Sequence, residues 1–251
     1  SPTISTEQPT LTSTPTITST PTAEPTVTAP PTLTPTATII PTATWPVAGP
    51  GEVVAPILMY HHVDPDEPAS NRYNVTPEVF AAQMQALDEW GYTTITASQL
   101  VEAISNGAPL PPRPIVITFD DGHYSTYKYA LPIMQEHGFV GVTYIVANRL
   151  KSYGFTGPTQ LNEMIAAGWE VGSHSYTHAD LTVDRNRAFT EIFSSRITLN
   201  ESLTEEVLTF AYPYGVIDPY IISRTSKWGY TAAMGLGTGY THSPNTLYYL
   251  E

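Results

Sequence analysis

From about residue 51 onward, short continuous apolar runs alternate with segments whose apolar positions recur at helical spacing. Ala55-Pro56-Ile57-Leu58-Met59-Tyr60 is an unbroken apolar run, the pattern of a strand buried on both faces. Thr76-Pro77-Glu78 then opens a helix with a cap, a proline at its first position and an acid in its first turn. Phe80, Met84, Leu87 and Trp90 keep helical spacing before Gly91 ends it. Tyr92 to Ile95 reads as a strand, and Ser98 caps a helix that runs through Ile104 towards Gly107. Ile115-Val116-Ile117-Thr118-Phe119 is the strongest strand signal, and the helix after it, Ser125 to His137, carries Pro132 and must kink or break there. Further strands are expected at 140–146, 169–173, 207–210 and 230–234, with helices at 159–167, 187–203 and 218–227. Regular β-α alternation means a parallel sheet covered by helices. Polar motifs follow several different strands at their C-terminal ends, as they do in a barrel whose loops converge on one face. The expected fold is therefore α/β, an irregular (β/α) barrel of about seven parallel strands.

The first fifty residues lack this patterning. They are dominated by Thr and Pro, with only Glu7 and Glu24 charged, and have too little apolar surface to offset the entropy of ordering. Residues 1–50 are expected to be a disordered linker or stalk of extended backbone, with a composition that suits O-glycosylation, and residues 51–251 a single domain. The chain starts at Ser1, so an upstream signal or anchor is expected to precede it. No run of eighteen apolar residues is present, and no membrane span is expected. A net charge of −13, carried almost wholly after residue 50, argues against nucleic acid as a partner. The absence of Cys excludes thiol nucleophiles and thiolate metal sites.

Candidate chemistry lies in two short segments. Thr118-Phe119-Asp120-Asp121-Gly122 ends the strongest strand with adjacent carboxylates that alternate in direction, so one can bind a cation while the other stays free as a base. In His174-Ser175-Tyr176-Thr177-His178 the histidines are four apart, one helical turn, and can face one ion. Together they supply three ligands for a divalent metal, Zn foremost with Ni, Co or Fe also suited to imidazole, and one carboxylate to spare. That set can perform metal-assisted hydrolysis.

These motifs resemble the polysaccharide deacetylases, the NodB-homology or carbohydrate esterase family 4 domain. The likeness extends to Asp180-Leu181 after the second motif and to Tyr212-Pro213-Tyr214-Gly215 as a third, and covers about residues 54 to 250. Met59-Tyr60-His61-His62-Val63 is similar to a subgroup acting on poly-N-acetylglucosamine. The resemblance implies that Asp121, His174 and His178 hold the metal. It implies Asp120 as catalytic base, the Tyr214 backbone N–H as oxyanion donor, and His61 as the acid, with His62 and then His242 as alternatives. Two departures from the family pattern stand out. Ala211 occupies the place of an arginine that orients the base, and the usual C-terminal Leu-x-His motif is missing, which suggests a domain cut short at Glu251.

The expected activity is removal of N-acetyl groups from an N-acetylglucosamine-containing polysaccharide by an extracellular or cell-surface monomer. An O-acetyl esterase on xylan-like glycans, or a surface glycan-binding module with impaired catalysis, are the alternatives.

Overall fold

The computed structural model describes residues 50–68 and 70–251; apart from Pro50, the expected Thr/Pro-rich stalk lies outside the described residues. In chain order the strands and helices are β1 (Val53–Val54), β2 (Ile57–Tyr60), β3 (His62–Val63), β4 (Asn74–Val75), α1 (Pro77–Glu89), β5 (Thr93–Thr94), α2 (Ala97–Asn106), β6 (Pro114–Phe119), α3 (Leu131–Glu136) and β7 (Val142–Ile145). They continue with α4 (Pro158–Ala166), β8 (Glu170–Ser173), α5 (Ser195–Asn200), β9 (Thr209–Ala211), α6 (Pro219–Lys227), β10 (Ala232–Met234) and β11 (Thr241–His242).

A seven-stranded parallel sheet forms the frame, in the order β10-β9-β8-β7-β6-β2, with β5 paired to the start of β6. It curls into an incomplete barrel, since β10 and β2 stand at opposite ends of the path. The tail of the chain runs along the free side of β10, where Ala233 N–H donates to Leu247 O and Gly235 N–H to Leu250 O. The antiparallel pair β1–β11 ties the start of the domain to this region. β2 is accordingly an edge strand, and the expectation that it is buried on both faces is corrected: it is half-buried, with Met59 45% exposed.

Strand alternation sorts the core into two parts. Ile115, Ile117 and Phe119 of β6 face the helical layer, where Phe119 packs between Tyr60, Phe80 and Trp169. Val116 faces the barrel interior with Val142, Tyr144, Ala211, Ala232 and Met234, and α2 contributes Ala97, Leu100, Val101 and Ile104 to the same cluster. Gly172 is required there, because a Cβ would lie 2.2 Å from the Tyr144 ring. This interior packing makes a solid floor beneath the C-terminal ends of the strands.

Local rules hold in the body of the domain. α1 starts at Thr76, whose side chain accepts from Val79 N–H, with Pro77 at its first position. α2 is capped by Thr96 and not by Ser98: Thr96 and Gln99 form a reciprocal capping box that satisfies two orphan backbone donors. The expected break at Pro132 takes the form of a π-helix, Thr126–Ala130, running into α3. The single helix expected over 187–203 is three pieces: a 3-10 turn Arg185–Arg187, a π-helix Phe189–Ser194, and α5.

Candidate metal centre

At the C-terminal ends of the strands lies a cavity of about 580 Å³. Its lining includes His61 after β2, Asp120 and Asp121 after β6, His174 and His178 after β8, and Tyr212 and Tyr214 after β9. Thr118 and Asp120 follow Val116 on the interior face of β6, which is why the sheet delivers a carboxylate into the cavity.

One ligand atom from each of Asp121, His174 and His178 can be chosen so that all lie within 4.8 Å of one another. His178 Nε2 is 3.6 Å from Asp121 Oδ1, and His174 Nε2 is 4.0 Å from Asp120 Oδ2. His174 Nδ1 lies 2.9 Å from the Ala211 carbonyl, so it is the donor there and Nε2 keeps its lone pair for the cavity. Burial lowers the pKa of both histidines, which favours the neutral, ligating form. Two neutral imidazoles, one of them fixed in tautomer, and a carboxylate fit a divalent ion in chemistry and spacing.

The histidines do not reach this arrangement on a helical turn. They sit on a loop after β8 in which Ser175 and His178 both have left-handed backbone, at φ 66° and 64°. His178 N–H donates to Ser175 Oγ at 2.9 Å, closing the turn. Asp121 at φ 71° and Tyr214 at φ 60° share this conformation, so four of the five such non-glycine residues among the described residues frame one site. Each costs on the order of 1–3 kcal/mol, and such strain clusters where geometry serves function.

The adjacent carboxylates occupy different environments. Asp120 is buried, and desolvation, opposed by His61 and reinforced by Asp121, raises its pKa to about 7. For Asp121 burial acts in the same direction, but His174, His178, His123 and His61 together hold it below the ordinary value. Arg149, after β7, adds a contact of 3.6 Å to Asp121. Among the described residues no Lys or Arg forms an ion pair with Asp120, so nothing cationic of that kind takes the place of the arginine missing at Ala211. His61 is pushed down by burial while Asp120 and Asp121 push it back up, and its ring leans on Tyr73 at 4.9 Å.

The remaining acid candidates differ in placement. His62 borders the cavity, but its ring lies against His123 at 3.6 Å between centroids and its Nδ1 is 3.7 Å from Glu67. His242 is away from the cavity: it is buried in β11 with Nε2 2.9 Å from the Ala55 carbonyl, so its place as third candidate is withdrawn.

Three contributors were not anticipated from sequence. Arg149 ends a 3-10 turn, Ala147–Arg149, and Tyr73 lies in the turn before β4, with no motif around either. Glu191 is fully buried and holds the backbone of the His174–His178 loop. Its signal was present, because it sits beside Ile192 on the stripe formed with Ala188, Ser195 and Leu199, where a surface acid has no place.

A family model described as Polysaccharide deacetylase matches residues 107–233, half of the chain. YxkH of Bacillus subtilis is 24% identical over 184 residues, covering 73% of this chain and 64% of the relative, so the chain spans less than two thirds of that protein. A poly-beta-1,6-N-acetyl-D-glucosamine N-deacetylase of Staphylococcus epidermidis is 26% identical over 199 residues, covering 68% of each chain. Among solved structures, the Streptococcus pyogenes deacetylase PplD in complex with acetate superposes with a TM-score of 0.73, covering 78% of this chain and 90% of that one at 24% identity, a likeness of fold. Matching motifs, sheet and family model agree: the chain belongs to the polysaccharide deacetylase family.

Proposed function

We propose that the domain removes N-acetyl groups from an N-acetylglucosamine-containing polysaccharide, of exopolysaccharide, peptidoglycan or chitin type, with a divalent metal as cofactor. The observation that carries this reading is the grouping of Asp121, His174 and His178 in the same cavity as Asp120 and His61. Asp121, His174 and His178 would hold the ion, Zn first, which when bound lowers the pKa of water towards ~7 from ~15.7 and polarises the acetyl carbonyl.

The chain's own groups account for the proton traffic. Asp120, buried and facing the cavity, takes a proton from the attacking water. The Tyr214 N–H, held by left-handed backbone at the cavity wall, donates to the developing oxyanion. His61 gives a proton to the departing amine; burial lowers its pKa overall, and the carboxylates of Asp120 and Asp121 oppose that shift without reversing it. One water and one acetamide become acetate and a free amine. Tyr73 and Tyr214, 48% and 60% exposed, supply aromatic faces on which a neutral sugar can stack.

We further read residues 1–50 as a stalk and the domain as a monomer working outside the cell or at its surface, on composition alone. No helix of the described residues is long and apolar enough to cross a membrane.

The test is acetate release from N-acetylglucosamine oligomers and from acetylated xylan, with and without added Zn, Ni or Co. Release from the amide substrate that depends on metal is expected. Release from xylan alone would reassign the chain as an O-acetyl esterase. Glycan binding that survives chelation without turnover would reassign it as a binding module.

A further inference from the structure

Glu191 is 0% exposed, yet it belongs to none of the sequence motifs. Its carboxylate accepts four hydrogen bonds. Oε2 takes the backbone N–H groups of Tyr176 at 3.1 Å and Thr177 at 2.8 Å, while Oε1 takes the Thr177 hydroxyl at 2.6 Å and Arg187 Nη2 at 2.7 Å. Arg187 Nη2 also donates to Thr177 Oγ1 at 2.9 Å, which closes a small ring of polar contacts.

Three of these four bonds come from residues between His174 and His178. The same loop is held on its other side by Ala147 N–H to Ser175 O and Asn148 N–H to Tyr176 O, both at 3.0 Å. It contains two left-handed non-glycine residues, so its conformation persists only if its surroundings over-determine it. Glu191 reaches it from the π-helix Phe189–Ser194, a geometry that recurs at functional sites.

We propose that Glu191 is a positioning residue for the metal centre: its carboxylate is the template on which the loop carrying His174 and His178 is folded. The inference rests on the metal-site reading above. It assigns to Glu191 a share of the affinity for the ion, exerted through the placement of His178 relative to His174 and Asp121.

Glu191→Gln separates this from a merely structural role. The amide keeps the shape but has one acceptor oxygen where the carboxylate has two, so two of the four donors would face an NH₂ group. Zn²⁺ affinity of the full chain is read by competition with a chromophoric chelator, alongside the melting temperature of the metal-free protein. The expected result is a Zn²⁺ affinity lower by roughly 10–100-fold in Glu191→Gln, the usual effect of losing such support, with acetate release largely recovered at saturating Zn²⁺.

Thr177→Val removes one of the four bonds and leaves the carboxylate in place. It is expected to weaken Zn²⁺ binding less, in the same direction, and it carries the test if Glu191→Gln does not fold. A lowered melting temperature with unchanged Zn²⁺ affinity in either folded variant would overturn the proposal. A parent protein that takes up no Zn²⁺ would overturn the metal-site reading and this inference with it, whereas normal uptake by both parent and variants overturns only the inference.

Discussion

The body of the barrel and its C-terminal rim are built from the same strands but obey different rules. In the body, α1 and α2 begin at threonine caps, β6 is buried along its whole length, and Phe119 rests among aromatic neighbours at 5.4 to 5.8 Å. At the rim, Asp121, Ser175, His178 and Tyr214 adopt left-handed backbone without being glycine, and Asp120 is a buried carboxyl raised to about 7. Each rim feature costs stability, and the packing beneath it supplies the offset. Stability therefore belongs to residues that face the core, and chemistry to residues that the core holds in unfavourable states.

The sharpest contrast is expected at two neighbours in sequence. Asp120→Asn should lower acetate release by about 10²–10⁴-fold, the range for loss of a general base, while leaving metal content and melting temperature nearly unchanged. The same residue sets the pH dependence. The base works only deprotonated, so in the parent protein the rate should fall as pH drops through the Asp120 pKa. That midpoint lies at or below about 7, because burial raises the carboxyl and a bound cation would lower it. A pH–rate profile checks this, and the acidic limb should vanish in Asp120→Asn.

Phe119→Ala, one position earlier, should do the reverse. It empties a fully buried site and should cost about 3–5 kcal/mol in denaturant unfolding. At temperatures where the variant remains folded, its acetate release should stay far closer to the parent's than that of Asp120→Asn. If Phe119→Ala were as inactive as Asp120→Asn while folded, the division between body and rim would fail. Thr96→Ala lies at the far end of the contrast. Loss of its capping box should lower stability by ~1 kcal/mol, measured by thermal unfolding, with no change in activity or Zn²⁺ affinity.

The same division explains what could be read from sequence. The strand read at 115–119, the cap at Thr76 and the break at Pro132 follow from local rules that this structure obeys; the β-α alternation carried the parallel sheet, and the motifs at several strand ends carried the barrel. The motif residues were legible because the carboxylate pair and the spaced histidines occur together and in order, and their separate roles came from the family resemblance; Asp120, Asp121, His174 and His178 border one cavity. The manner of their meeting was not legible. Spacing of four suggested a helical turn for His174 and His178, but the loop is held by tertiary bonds to Glu191, Ala147 and Asn148 that no local pattern announces. Likewise, β2 reads as a buried strand, and only the open edge of the sheet explains its exposure.

The central claim is that the rim converges on a single ion that is needed for deacetylation. It is tested most directly by titrating chelator-stripped full chain with Zn²⁺ while recording bound metal and acetate release from an N-acetylglucosamine oligomer in the same samples. The account predicts that both rise together and saturate at one ion per chain, and that His178→Ala abolishes both. Undiminished acetate release from the stripped protein, or full activity in His178→Ala, would contradict it.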